Sequence, residues 1–107
     1  MHSRLANAVL KDGNGYGFDG PWRYESQKQT ATRAAIRILR DWIDGKEKEP
    51  DYHDAIYCLM DFYGDAVKPA CKYLWAASLI YEEEERLVYY DTGMDKLMRF
   101  FRRNPGA

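Results

Sequence analysis

The stretch KPACKYLWAASLIYEEEERLVYY, residues 68–90, decides the fold. After Pro69 it has no glycine or proline, it is far longer than a strand, and its apolar residues recur with helical spacing. Pro69 is tolerated in a first turn, so the pattern predicts one helix over 68–90. Its main core face would carry Ala70, Tyr73, Leu74, Ala76, Ala77, Ile80, Tyr81, Leu87 and Val88. Glu84 falls near the middle of that face. A carboxylate there must reach solvent at a frayed or bent helix end, pair with a cation such as Arg33 or Arg37, or serve a function, because an unpaired buried charge costs several kcal/mol. The other side of the same predicted helix carries Trp75, Leu79 and Tyr90, with Glu82 and Arg86 beside them. This second apolar stripe is either sandwiched between neighbours or presented to a partner or a second copy.

Outward from this stretch, single glycines at positions 45, 64 and 93 fall where helical patterns stop, as residues that accept the left-handed conformation past a helix end. The spacing predicts helices near residues 3–10, 26–44, 51–63, 68–90 and 94–103. Ser26 would cap the second, and Asp51 with Asp54 would open the third. The second helix gathers Ala31, Ala35, Ile36, Ile38, Leu39, Trp42 and Ile43 on one face, with Arg33, Arg37, Arg40, Asp41 and Asp44 opposite. The third surrounds itself with Tyr52, Ala55, Ile56, Leu59, Met60, Phe62 and Tyr63, leaving Asp54, Cys58 and Asp61 for solvent, and should be the most central. The last divides into Met94, Leu97, Met98, Phe100 and Phe101 against Lys96, Arg99, Arg102 and Arg103. The expected fold is all-α: a compact antiparallel bundle of four main helices, with a short N-terminal helix and a glycine- and aromatic-rich loop over 11–24. A single domain over 1–107 with a flexible tail at 104–107 is expected.

Composition narrows the classes of function. The chain has 107 residues, 31% charged and 46% hydrophobic, which excludes a wholly disordered segment, and no run approaches the ~20 apolar residues of a membrane span. A net charge of -1 removes the simplest case for a generic DNA or membrane-surface binder. That neutrality is divided unevenly: residues 46–95 hold twelve acids against five bases, and residues from 96 onward hold four bases and no acid. Cys58 and Cys71 are too few for a disulfide framework and read as buried structural thiols. Met1-His2-Ser3-Arg4 begins no apolar segment, so a cytoplasmic protein is expected.

No arrangement of residues carries a recognised chemistry. Glu82 to Glu85 invites comparison with the all-α nucleotide pyrophosphohydrolases of the MazG type, which use an E-E-x-x-E motif, but Arg86, Leu87 and Val88 stand where the next glutamate would fall. Four consecutive glutamates also point around a helix and do not converge on one metal. The segment from Asp12 to Asp19 resembles a calcium loop, yet it lacks an acidic fifth ligand and has Arg23 at the twelfth position. Its glycines do not form a phosphate loop. Cys58, Cys71, His53 and His2 lack the paired spacing of a zinc site, and no serine, histidine and acid triad is present. An enzyme, a metal and a cofactor are therefore not expected.

Two sets of residues invite a binding role. Tyr16, Phe18, Trp22 and Tyr24 stand at even spacing among glycines, so in an extended loop they would project to one side, either as a lid on the core or as a recognition surface. Together with Trp75, Leu79 and Tyr90 they point to a non-catalytic protein-binding module. Its partner would be a second copy or another protein, including a basic nucleic-acid-binding protein facing the acidic middle of the chain. By size and composition alone the chain is similar to small phage and mobile-element inhibitors such as anti-CRISPR proteins. The alternative is a nucleotide or nucleic-acid binder that uses Arg33, Arg37 and Arg40 with aromatic stacking. Arg99, Arg102 and Arg103 either complement the dipole of the last helix or contact phosphate.

Overall fold

The glycine at position 45 ends the first described helix, α1 (Glu25–Ile43), in the way its residue type permits. Gly45 takes φ +78°, and its N–H donates to the Trp42 carbonyl at 3.0 Å while Lys46 N–H donates to the Asp41 carbonyl at 2.8 Å. This pair of bonds satisfies carbonyls that the helix end leaves without helical partners. The structure, a computed structural model, describes residues 25–105. The expected N-terminal helix, the aromatic loop over 11–24 and residues 106–107 lie outside the described residues. Every described regular element is helical, and the fold is all-α.

The chain divides into two units, and the first runs as far as Cys58. In it α1 buries Ala31, Ala35, Ile38 and Leu39, the expected face, while the start of α2 (Glu49–Tyr63) buries Tyr52, Ala55 and Ile56. The Trp42 and Tyr52 rings stack with centroids 3.9 Å apart. Full burial of a side chain such as Ile38 or Leu39 contributes about 1.5–3 kcal/mol. Thr32 is also buried, and its hydroxyl donates to the Lys28 carbonyl at 2.7 Å. Two details differ from expectation. Ser26 and Asp51 lie inside their helices, which begin at Glu25 and Glu49, and Cys58, which the helical wheel gave to solvent, is buried at 2% exposure, as the reading of both cysteines as buried thiols expected. A small thiol behaves as a hydrophobe and is readily covered.

The second unit starts at Leu59 and holds the end of α2, a 3-10 turn (Gly64–Ala66), α3 (Lys68–Leu79) and α4 (Glu83–Arg103). Gly64, at φ +57°, ends α2 as expected, and Pro69 sits in the first turn of α3. The predicted helix over 68–90 is corrected. The chain leaves the helix after Leu79, passes through extended Ile80 and Glu82, and re-enters a helix at Glu83. The expected stop at Gly93 is corrected as well, since α4 runs through it without interruption.

Helices α3 and α4 form an antiparallel hairpin, because later residues of one approach earlier residues of the other. The Tyr73 and Tyr89 rings lie 5.9 Å apart, Gly93 abuts Leu74 and Ala70, and Lys96 Nζ is 5.6 Å from the Tyr73 ring. Gly93 is buried at this crossing, where its missing side chain allows the helices to approach. Ala70, Cys71, Leu74 and Ala77 of α3 and Tyr90 and Leu97 of α4 supply the buried surface. At the far end of α4, Phe100 and Phe101 meet the Tyr63 ring edge-on at 5.4 and 5.3 Å.

The break resets the helical register. Upstream of it the expected core positions Ala70, Leu74 and Ala77 are buried, while Tyr73, also expected there, is exposed with its ring beside Tyr89 and Lys96; downstream, Tyr81, Leu87 and Val88 are exposed, although a continuous wheel placed them inside. Glu84 loses its anomalous place by the same shift. It lies exposed in the first turn of α4, where a carboxylate favours the positive end of the helix dipole.

Candidate functional site

The turn between α3 and α4 is built by two charged side chains that bond to backbone. Glu82 stands at the N-cap, and its carboxylate accepts from Glu85 N–H at 2.7 Å and from Glu84 N–H at 3.3 Å. Two of the amides that a helix start leaves without carbonyl partners are thereby satisfied. From the next turn, Arg86 reaches back so that Nε donates to the Ile80 carbonyl at 3.1 Å and a terminal guanidinium nitrogen donates to the Tyr81 carbonyl at 2.9 Å. The break therefore keeps its hydrogen bonds without a glycine or proline in the turn.

This construction sets large apolar side chains in water. Leu79 is 74% exposed, Tyr81 97% and Val88 63%, and Leu87 is partly covered in the same turn of α4 as Val88. Glu82, Glu83, Glu84 and Glu85 are all exposed beside them. Arg86, the nearest cation in sequence, is half-buried and committed to backbone carbonyls. The turn is thus an apolar tip beside a strongly negative helix start.

The expected stripe of Trp75, Leu79 and Tyr90 does not occupy one helix. Trp75 and Leu79 share a face of α3 one turn apart, with Trp75 half-buried, while Tyr90 belongs to α4 and is only 6% exposed. Tyr81 is the exposed ring that the sequence concealed, because a continuous helix assigned it to the core. The signal that reveals it is the run of glutamates, which reads equally well as the acidic first turn of a new helix. Tyr16, Phe18, Trp22 and Tyr24 lie outside the described residues.

The candidate cations fall on two helices. Arg33, Arg37 and Arg40 are exposed along one stripe of α1. On α4, Arg99, Arg102 and Arg103 are exposed, and Arg99 Nε lies 3.0 Å from the Asp95 carboxylate one turn earlier. Among the described residues no three histidine, cysteine or acidic side chains gather in a way that would hold a metal ion, and no described helix is long and apolar enough to cross a membrane. Cys58 and Cys71 are buried thiols outside any disulfide, and burial pushes the Cys71 thiol up to about 11. A group so strongly held in its neutral form is a poor nucleophile near neutrality. A scan of protein-family models matches none, and searches of curated proteins and of solved structures find no similar protein.

Proposed function

We propose that this chain is a non-catalytic protein-binding module that engages a basic protein surface through the α3–α4 turn. The observation that carries this reading is the near-complete exposure of Tyr81 beside an exposed Leu79, both fixed by a turn whose backbone is held by Glu82 and Arg86. Scattered exposed apolar residues are ordinary, but large ones grouped at a hydrogen-bonded turn supply contact area at little further cost in entropy. Tyrosine combines an apolar ring with a polar tip and is favoured at such contacts.

Charge selects the kind of partner. A two-fold contact centred on this turn would bring the Glu82–Glu85 segments of two copies to the same interface, where like charges oppose association. A basic partner gains from the same carboxylates. If that partner binds nucleic acid, occupation of its basic face by the module is inhibitory, with carboxylates standing where phosphates would bind. Two buried reduced thiols suit action in the cytoplasm.

The test is capture by the tagged full chain from native extract, quantified by mass spectrometry, with Leu79→Asp/Tyr81→Ala and Glu83→Lys/Glu84→Lys variants in parallel. A partner with a basic surface that both variants lose, from a bait that light scattering shows to be monomeric, supports the proposal. Equal capture by wild type and both variants would overturn it. If capture instead requires Arg33, Arg37 and Arg40 and collapses steeply with salt, phosphate recognition by the α1 stripe replaces it.

A further inference from the structure

We infer that the opposite end of the same hairpin binds a small organic phosphate, of the size and kind of a nucleoside monophosphate. A cleft of about 310 Å³ opens where the start of α3 faces the end of α4. From α4 it is lined by Lys96, Arg99, Phe100 and Arg103, which at spacings of three, four and seven share one helix face. Ala66, Pro69 and Ala70 form the facing wall, and their small side chains leave the space unfilled. The volume lies at the lower end of small-molecule sites, large enough for a phosphate carrying one ring system.

The charge in this cleft is of one sign. Three cations line it and no carboxylate does. Asp95 pairs with Arg99 but is not among the lining residues, so the pair orients the guanidinium without filling the cleft. Such an exposed pair contributes little and yields readily to a better acceptor. The helix dipole accounts for cations in the last turn, Arg102 and Arg103, because its influence fades beyond one turn. Farther back, Lys96 Nζ lies 5.6 Å from the Tyr73 ring and Arg99 pairs with Asp95, and both residues line the same cavity as Arg103. Guanidinium groups suit phosphate oxygens bidentately, and a lysine adds a point charge.

The apolar element of the site is Phe100. Its ring is held edge-on by Tyr63 at 5.4 Å and by Phe101 at 5.1 Å, and its carbonyl accepts from the Asn104 side-chain amide at 2.9 Å. A held ring in a cleft lined by three cationic side chains matches the two halves of a nucleotide, with phosphate on the cations and base against the aromatic surface.

The structure also supplies its own control. Arg102 is exposed on the same last turn with the same charge, but it does not line the cleft. Adenosine 5′-monophosphate and inorganic phosphate, titrated separately into the full chain and followed by calorimetry and by NMR shifts, test the inference. Arg99→Ala, Arg103→Ala and Lys96→Ala are each expected to weaken nucleotide binding by about tenfold, and Arg102→Ala by less than about twofold. Phe100→Leu should weaken the nucleotide while leaving inorganic phosphate unchanged. Equal losses from Arg102→Ala and Arg103→Ala would reduce the effect to unspecific charge and overturn the inference. So would an absence of saturable nucleotide binding up to about 5 mM, or binding confined to single-stranded oligonucleotides.

Discussion

Gly93 and Leu74 meet so closely that a Cβ on the glycine would lie 2.7 Å from Leu74 Cγ and 3.0 Å from the Ala70 carbonyl oxygen. Alanine is worth about 1 kcal/mol more than glycine inside a helix, but a buried methyl without room costs about 1–3 kcal/mol. The collision wins, because Leu74 is fully buried and the second obstacle is backbone. Gly93→Ala should therefore lower stability, by up to about 2 kcal/mol, in urea unfolding. In a double-mutant cycle Leu74→Ala should absorb part of that loss. A stabilised Gly93→Ala protein would show that the helices do not approach as described.

Removing the N-cap carboxylate is the second test. Glu82→Ala leaves the Glu84 and Glu85 amides without their acceptor and should cost about 1 kcal/mol, whereas Glu82→Asp, a better capping residue, should retain most of the stability. Thermal unfolding of the three proteins at one ionic strength separates the cap from a general change of charge.

Exposure predicts the third outcome. Leu79→Ser and Tyr81→Ser should each change stability by less than about 0.5 kcal/mol, while Leu59→Ala, at a fully buried position, should cost about 2–5 kcal/mol. Large losses at both turn positions would mean that these side chains hold the fold and are not available to a partner.

The Cys71 thiol gives a pH dependence of defined sign. Burial lifts it from 9.0 to about 11, so between those values the unfolded chain loses the proton while the folded chain keeps it. The contribution is fully present below pH 9 and declines as pH rises toward about 11, by an amount on the order of 2 kcal/mol. Urea titrations across this window should show a steeper decline for wild type than for Cys71→Ala. Parallel slopes would place the thiol in contact with water.

Much of the helical framework was legible because local chemistry and packing agree there. Gly45 and Gly64 terminate helices in the left-handed conformation, Pro69 opens one, and the buried residues of α1 repeat at helical spacing. Gly93 misleads because glycine answers two different physical needs, and nothing local distinguishes a positive φ from a close helix crossing. The break at Ile80–Glu82 was hidden for the opposite reason: its carbonyls are satisfied by the side chain of Arg86, so no breaker residue marks it. The misplaced Glu84 was the visible trace of that break. Among candidate site residues, Leu79 and the exposed arginines follow from spacing. Lys96, Arg99 and Arg103 share a face by spacing as well, but the exposure of Tyr81 and the wall of Ala66, Pro69 and Ala70 that faces those cations depend on where two helices end in space, which periodicity does not encode.

The Gly93 crossing also has a kinetic consequence. Ala70 and Leu74 meet Gly93 across only about twenty residues of chain, so bringing them together costs little loop entropy. Contacts of such short range favour rapid assembly, and the α3–α4 hairpin is the segment expected to organise first during folding. A residue that obstructs this contact should then slow refolding more than it hastens unfolding, giving the smallest side chain in the hairpin a hold on the rate at which the protein forms.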